Sequence, residues 1–264
     1  MTVINSDIRK TIIRMTGMAS AAHVATSLSE VEILNAVYKT TNIKKIINQE
    51  ISRDRVILSK GHGAAGLYAV MYHHGLLSKQ DIDDFFKDGS VMAGHASHFV
   101  ENVEHSTGAL GHGLSVGLGM ALGARARKIS NRVFVVVGDG ELHEGSNWEA
   151  IMYAGHQSIG NLCVLIDKNG KTMTGNTSEE CSIDPLMDKF NAFNFNTFEI
   201  SDGHDELEIV KIIEKTSTSE LPVAIICNTI KGKGISFMES NLDWHYRPPQ
   251  GEELDKAISE LEQS

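Results

Sequence analysis

A doubly wound α/β fold, with a mostly parallel sheet and helices on both faces, follows from three features of the sequence. Apolar runs rich in β-branched residues, at 133–137, 162–166 and 223–229, have the length and continuity of strands covered on both sides. Helical patterns separate them, the alternation expected when parallel strands are joined by crossover helices. Two of the runs end in polar turns, Gly138-Asp139-Gly140 and Asp167-Lys168-Asn169-Gly170, at the carboxyl edge where such sheets bind ligands.

Taken in order, Ser6 or Asp7 caps a first helix that continues to about Ala25, its later part rich in small residues. Ser29-Glu30-Val31-Glu32 has capping-box spacing and opens a second helix to about Tyr38. Residues 53–58 are strand-like and end at Ser59-Lys60-Gly61-His62-Gly63. A helix follows over 64–74, and Ser78-Lys79-Gln80-Asp81 is a second capping box heading a short acidic helix. Residues 90–110 are mostly loop. The helix over 111–127 is full of Gly and Ala, which thin it so that another helix or a subunit can lie close. After the strand at 133–137, a helix covers 146–154. The strand at 162–166 leads into a polar connection, 174–185, and a short helix, 185–191. Residues 197–200 are a strand candidate and 205–215 an amphipathic helix. The strand at 223–229 runs into Lys231-Gly232-Lys233-Gly234. The tail, from about 239, holds Trp244-His245 and an acidic amphipathic end. No repeat, low-complexity block or linker interrupts the chain, so residues 1–264 are expected to form a single domain with that tail.

Composition narrows the class. The chain has 264 residues, 41% of them hydrophobic, enough for one large α/β domain with an ample core. It has no run of about eighteen apolar residues, so no membrane span is expected. The opening MTVINSDIRKTIIRM lacks the basic-then-apolar build of a signal peptide. Cys163, Cys181 and Cys227 form no CxxC pair and read as inert core thiols. A cytoplasmic enzyme fits. The net charge is -10 and the basic residues are scattered, which argues against nucleic acid as a partner. Twelve histidines are many for this length and invite a search for acid-base roles.

Asp139 offers a carboxylate, Asn169 an amide oxygen, and a nearby main-chain carbonyl, assigned to Lys171, a third hard ligand. Such a set suits Mg2+, with Ca2+ or Mn2+ as alternatives, and leaves positions for phosphate oxygens and water. Either turn alone is ordinary punctuation. Together, each closing a buried strand, they read as a metal-diphosphate site. Gly111-His112-Gly113-Leu114-Ser115-Val116-Gly117 has the look of a dinucleotide fingerprint, but the polar ENVEHSTGAL precedes it where that motif needs a strand. His23, His62, His95 and His245 sit in loops beside small residues. Zinc needs three or four converging ligands, and His95-Ala96-Ser97-His98 supplies only a pair. Glu144 suits a helix N-terminus. Lys231 and Lys233 read as solvated loop charges, with phosphate contact the alternative.

Gly138-Asp139-Gly140 followed by Asn169 resembles the thiamine-diphosphate motif, which opens with GDG and closes with Asn. The flanking GDGELHEGSNWEAIMYAGH resembles transketolases, their N-terminal subunits most closely. The resemblance covers essentially the whole chain but only the family's diphosphate-binding domain. It implies a thiamine-diphosphate-binding fold, with thiamine diphosphate and Mg2+ as cofactors and Gly138, Asp139, Gly140 and Asn169 at the diphosphate. STGALGHG matches the segment usually written TTGPLGQG, so Gly108 and Leu110 are expected at the aminopyrimidine; Ala109 replaces the proline and His112 the glutamine. His23 matches the histidine of SGHxGG, although Ala22, Ala25 and Thr26 replace glycines. His62 matches that of LSxGH, His95 that of GHP with Ala96 for the proline, and His245 that of AWHG, here DWHY.

By this resemblance, His23 and His245 remove the substrate hydroxyl proton, as neutral imidazoles can. His95 binds the donor's terminal hydroxyl, and His62 contacts diphosphate and substrate. His245 also touches the cofactor, and Glu144 links two active sites through protons at a subunit interface. The family's pyrimidine-binding domain, with its triggering glutamate and sugar-phosphate grip, has no counterpart here. The resemblance therefore implies a separate C-terminal subunit, in a heterotetramer of two of each. That enzyme would move a two-carbon ketol unit from a ketose phosphate to an aldose phosphate, the sugar being an ordinary pentose phosphate or a modified one. A ketoacid dehydrogenase subunit or a deoxyxylulose-phosphate synthase fragment are alternatives, which the histidine set argues against. A non-catalytic metal-diphosphate-binding scaffold is a third, for which Asp139, Asn169 and four loop histidines would have no use.

Overall fold

The computed structural model describes residues 4–263. Five strands form one sheet: β1 (Arg55–Leu58), β2 (Val133–Gly138), β3 (Leu162–Lys168), β4 (Asn196–Ile200) and β5 (Val223–Asn228). Their order is β1-β2-β3-β5-β4 and every pairing is parallel. Before β1 come α1 (Asn5–Met18), α2 (Val24–Ser29), α3 (Val31–Thr40) and α4 (Ile43–Ile47). Between β1 and β2 lie α5 (Ala64–His73), α6 (Lys79–Asp83) and α7 (Gly113–Ala126), and α8 (Gly145–His156) joins β2 to β3. Then come α9 (Thr177–Glu180) and α10 (Leu186–Ala192) before β4, α11 (Glu206–Lys215) before β5, and α12 (Glu252–Gln263) near the end.

The apolar strands are continuous because both faces are covered. On β2, Phe134 and Val136 join the core that includes Ile12, Leu34 and Leu67, from α1, α3 and α5. Val133, Val135 and Val137 point the other way, among Leu114, Leu118 and Ile151 from α7 and α8. Gly117 lets α7 settle onto the sheet: a Cβ there would fall 2.4 Å from Val135 Cγ2. The closeness expected of this Gly-rich helix is thus partly to the sheet itself. Gly119 and Gly123 face away: a Cβ at either would meet nothing beyond the helix's own backbone within 4 Å among the described residues. Among the described residues no helix is long and apolar enough to cross a membrane.

Three local expectations need correction. The first helix does not reach Ala25. It stops at Met18, Ser20 and His23 adopt positive φ (49° and 69°), and α2 restarts at Val24. The break frees His23 from the helix, and its N–H donates to the His245 carbonyl at 3.0 Å. The capping box at Ser29 does not form. Ser29 Oγ lies 2.6 Å from Asp167 Oδ2, and Glu32 forms a bidentate pair with Arg9, both bonds 2.7 Å. Charged partners have outcompeted a main-chain cap. At Ser78 no such partner intervenes and the box does form, with Ser78 N–H to Asp81 Oδ2 at 2.7 Å. Finally, Cys163 and Cys227 are buried thiols, but Cys181 is on the surface.

Candidate functional site

A cavity of about 580 Å3 opens at the carboxyl edge of the sheet. All twelve residues assigned from the sequence line it. The diphosphate and metal set contributes Gly138, Asp139, Gly140, Asn169 and Lys171; the pyrimidine loop contributes Gly108 and Leu110; the rest is His23, His62, His95, His245 and Glu144.

The parallel pairing of β2 and β3 creates the corner that the sequence assigned to metal and diphosphate. Gly138 is in register with Asp167, so the two strands deliver Asp139 and Asn169 side by side. Asp139 is 2% exposed, and its carboxylate accepts only main-chain bonds, from Gly170 N–H at 2.7 Å and Gly140 N–H at 2.9 Å. Burial, and then the negative charge of Asp167, push its pKa up to about 6. Asn169 Nδ2 donates to Asp167 Oδ2 at 3.3 Å, which identifies the other end of the amide as the oxygen. Lys171 turns its ammonium toward Asn176, at 2.6 Å, while its carbonyl oxygen lies 3.8 Å from where a Gly140 side chain would begin. Among the described residues, no three His, Cys, Asp or Glu side chains cluster to hold a metal. The donor set is instead carboxylate, amide oxygen and carbonyl, the hard oxygens that suit Mg2+ beside a diphosphate. A buried carboxylate that forms no ion pair among the described residues fits that group.

The pyrimidine loop is stitched to its neighbours through glycines. Gly108 has φ 146°, and a Cβ there would approach His95 Cδ2 to 3.0 Å. A Cβ on Gly61 would lie 2.5 Å from the Thr107 carbonyl carbon, so the loops carrying His62 and Gly108 pack backbone to backbone. Thr107 Oγ1 donates to the Leu58 carbonyl at 2.6 Å, and Ala96 N–H to the Gly61 carbonyl at 3.0 Å.

The four histidines form one cluster with His23 at its centre. Its ring centroid lies 5.3 Å from that of His62, 5.6 Å from His95 and 5.2 Å from His245. Burial lowers all four pKa values. That of His23 falls to about 4, helped by His95 and Lys231, and that of His245 to about 3, helped by Lys231 and His23. His62 is lowered well below the ordinary value and His95 also lowered. All four are neutral at pH 7. His23 Nδ1 is buried without a hydrogen-bond partner. Tyr246, where the related pattern has glycine, meets the His245 ring edge-on at 4.7 Å between centroids and lies tilted 5.3 Å from that of His23, its hydroxyl against the Met173 thioether. Glu144 is exposed at the N-cap of α8, with no side-chain capping bond.

Lys231 overturns the reading of a solvated charge. It is 2% exposed, and its Nζ donates to His245 Nδ1 at 2.8 Å and to the Thr172 carbonyl at 3.1 Å. Burial and Lys60 bring its pKa down to about 8, so it remains largely charged at pH 7. An ammonium at Nδ1 leaves the His245 proton on Nε2. Lys233 is partly exposed beside Glu239, 3.8 Å away.

Four buried ionisable groups escaped the sequence reading. Lys60, in the cavity wall, places its Nζ 2.5 Å from Asp167 Oδ2 and 3.0 Å from Glu30 Oε2. Glu141, 2% exposed, joins the metal turn to two neighbouring loops. The signal for Lys60 and Asp167 was their position at the ends of strands covered on both faces, where a charge has to be paired. Glu30 and Glu141 carried no local signal.

Residues 2–262 match the family described as transketolase, thiamine diphosphate binding domain. The chain is 37% identical to an apulose-4-phosphate transketolase subunit of Actinobacillus succinogenes, over 96% of this chain and 92% of that one. It is 36% identical to the 6-deoxy-6-sulfo-D-fructose transketolase subunit of a Clostridium species, over 97% of this chain and 94% of that one. Among solved structures it is similar to Pichia stipitis transketolase in complex with sedoheptulose-7-phosphate. The TM-score is 0.90 at 26% identity, over 98% of this chain but 40% of that one. The chain thus spans well under half the length of that transketolase.

Proposed function

This chain belongs to the transketolase family, in its thiamine-diphosphate-binding part, and from that premise we propose that it is the N-terminal subunit of a split transketolase. It would move a two-carbon ketol unit from a ketose phosphate to an aldose phosphate, together with a separate C-terminal subunit that supplies the pyrimidine-binding domain. The observation that carries this reading is the convergence of all twelve sequence-assigned residues on one cavity at the sheet's carboxyl edge. The apulose-4-phosphate relative, itself named as one subunit and matched over 92% of its own length, supports the division between two chains. In this reading residues 1–264 are one diphosphate-binding domain, and two copies join two partner subunits in the cytoplasm.

Asp139, the Asn169 amide oxygen and the Lys171 carbonyl would hold Mg2+, with Gly138 and Gly140 leaving the backbone open to the diphosphate. His62, which lines the same cavity, would contact diphosphate and substrate. Gly108 and Leu110 would meet the aminopyrimidine. Bound thiamine diphosphate supplies the electron sink for cleaving a carbon–carbon bond beside a carbonyl. The chain's own residues handle the protons. His23, neutral and with a free nitrogen, accepts the donor's hydroxyl proton; His245, its Nδ1 held by Lys231, presents Nε2 to the same hydroxyl. His95, nearer the mouth, binds the donor's terminal hydroxyl. Glu144, exposed, is left to meet another chain. Lys231 adds a positive charge that suits the cofactor's phosphates. The relatives named for apulose-4-phosphate and 6-deoxy-6-sulfo-D-fructose support a modified sugar as donor.

The test is to purify the chain with and without the product of an adjacent reading frame, add thiamine diphosphate and Mg2+, and assay ketol transfer. Activity is expected only in the mixture. Full activity from this chain alone would refute the division of labour, and cofactor binding without turnover in any mixture would favour the scaffold.

A further inference from the structure

We propose that Glu141 is a positioning residue that fixes the distance between the two ends of the cofactor site. Its carboxylate ties together three segments that are far apart in sequence. Oε1 accepts from Ser59 Oγ at 2.5 Å and from Gly111 N–H at 3.0 Å, and Oε2 accepts from Gly138 N–H at 3.2 Å. Ser59 immediately precedes the loop bearing His62. Gly111 closes the loop bearing Gly108 and Leu110. Gly138 opens the turn bearing Asp139.

The geometry assigns these contacts to alignment rather than to general stability. Gly111 has φ 84°, and a Cβ there would fall 2.6 Å from both Glu144 Cβ and Ser146 Oγ, so this loop enters a space with no slack. Its carbonyl is held by Ser146 Oγ at 2.8 Å, and its N–H by Glu141. Glu141 is itself anchored, because its main-chain carbonyl accepts from Asn147 Nδ2 at 2.8 Å. One side chain therefore sets how far the pyrimidine-side loop stands from the diphosphate-side turn. An ionised carboxylate only accepts hydrogen bonds, and all three partners here donate. Glutamine matches it in shape but must turn an NH2 group toward one of those donors.

This inference rests on the cofactor reading, and its test has one arm independent of it. In the free full-length chain, Glu141→Gln should raise amide hydrogen exchange about tenfold at whichever of Gly111 and Gly138 meets the NH2 group, as expected when a buried hydrogen bond is lost. Exchange in β5 should be unchanged. Glu141→Asp should recover part of the protection, and Ser59→Ala, which spares both amides, should leave it intact. The second arm compares binding of Mg2+-pyrophosphate with binding of Mg2+-thiamine diphosphate by calorimetry. The Gln variant should lose about tenfold of the preference for the full cofactor, while pyrophosphate affinity changes little. Unchanged exchange at both glycines, or an equal loss for both ligands, would overturn the proposal. If the wild-type chain binds neither ligand, alone or mixed with the partner subunit, the cofactor reading fails and the exchange arm alone decides whether the clamp exists.

Discussion

Asp139 and Asp167 end neighbouring strands and touch through the main chain, where Asp139 N–H donates to the Asp167 carbonyl at 3.2 Å. The fold treats them in opposite ways. Asp167 is fully buried, and its carboxylate is met by the side chains of Lys60, Ser29 and Thr229. Burial alone would raise its pKa, but Lys60 and these hydrogen bonds outweigh that and hold it below the usual carboxylate range. Asp139 is almost as buried and has no side-chain hydrogen-bond partner among the described residues, and burial drives it up to about 6. One carboxylate is completed by the chain itself. The other is met by main-chain N–H groups, and the proposed function gives it the metal. The depth of a charge therefore does not separate structure from function here; the source of its partners does.

The largest effect expected from breaking this contrast is at Asp167. Asp167→Asn removes the closest counter-charge of a Lys60 ammonium that is 1% exposed. Removing one partner of a buried pair typically costs about 3–5 kcal/mol. Glu30, 3.0 Å from the same ammonium, can ionise in part to replace it, so about 3 kcal/mol is expected in urea unfolding, with or without metal. A loss confined to the metal-bound form would contradict the structural role. Next comes Asp139→Asn. Without metal, its unfolding free energy should stay within about 1 kcal/mol of wild type, since the amide oxygen can still accept a main-chain bond. Adding Mg2+ and pyrophosphate at about 100 times Kd should stabilise the wild type by about 2.7 kcal/mol and this variant not at all. Equal stabilisation of both would remove Asp139 from the metal set.

The sequence announced the functional half of this contrast more clearly than the structural half. Gly138-Asp139-Gly140 and Asn169 stand out because an unbroken apolar run stops at each, and the strands formed where those runs lie. The resemblance then gathered histidines spread from residue 23 to 245, and these meet in one cluster. What stayed illegible was long-range pairing. Ser29-Glu30-Val31-Glu32 has the spacing of a cap, yet its partners Asp167 and Arg9 lie 138 and 23 residues away. Lys231 sits in polar Lys-Gly text that reads as exposed. It is buried by Thr172, from the loop after β3, and by His245, from the tail. The break at residues 19–23 was hidden because small residues suit a close-packed helix as well as a turn.

Glu30 sharpens the comparison through pH. Burial lifts its pKa to about 8 from an ordinary value of 4.5, with Lys60 opposing and Asp167 reinforcing the rise. The folded state therefore holds a proton that the unfolded state releases between those values. Its contribution is fully present below pH 4.5 and is lost as pH rises toward 8. Glu30→Gln has no such proton to lose. It should gain about 2 kcal/mol relative to wild type on going from pH 6 to pH 8, read from urea midpoints at each pH. A flat difference across that range would mean that Glu30 shares the Lys60 charge equally with Asp167.

The smallest expected effect tests whether the two carboxylates are separable at all. Ser29 Oγ is 2.6 Å from Asp167 Oδ2 and 3.5 Å from Asn169 Nδ2, so it touches both the completed acid and a proposed metal ligand. Ser29→Ala removes one hydrogen bond to a charged group, which costs about 1.5 kcal/mol. Asp167 keeps Lys60 and Thr229, and Asn169 Nδ2 keeps its 3.3 Å contact to Asp167 Oδ2, so the amide should stay oriented with its oxygen toward the metal corner. The variant should unfold at lower urea yet bind Mg2+-pyrophosphate within about twofold of wild type, a change of under about 0.5 kcal/mol. A tenfold loss of binding would instead show that Asn169 depends on the hydroxyl, and that the completed carboxylate belongs to the metal site's support rather than standing apart from it.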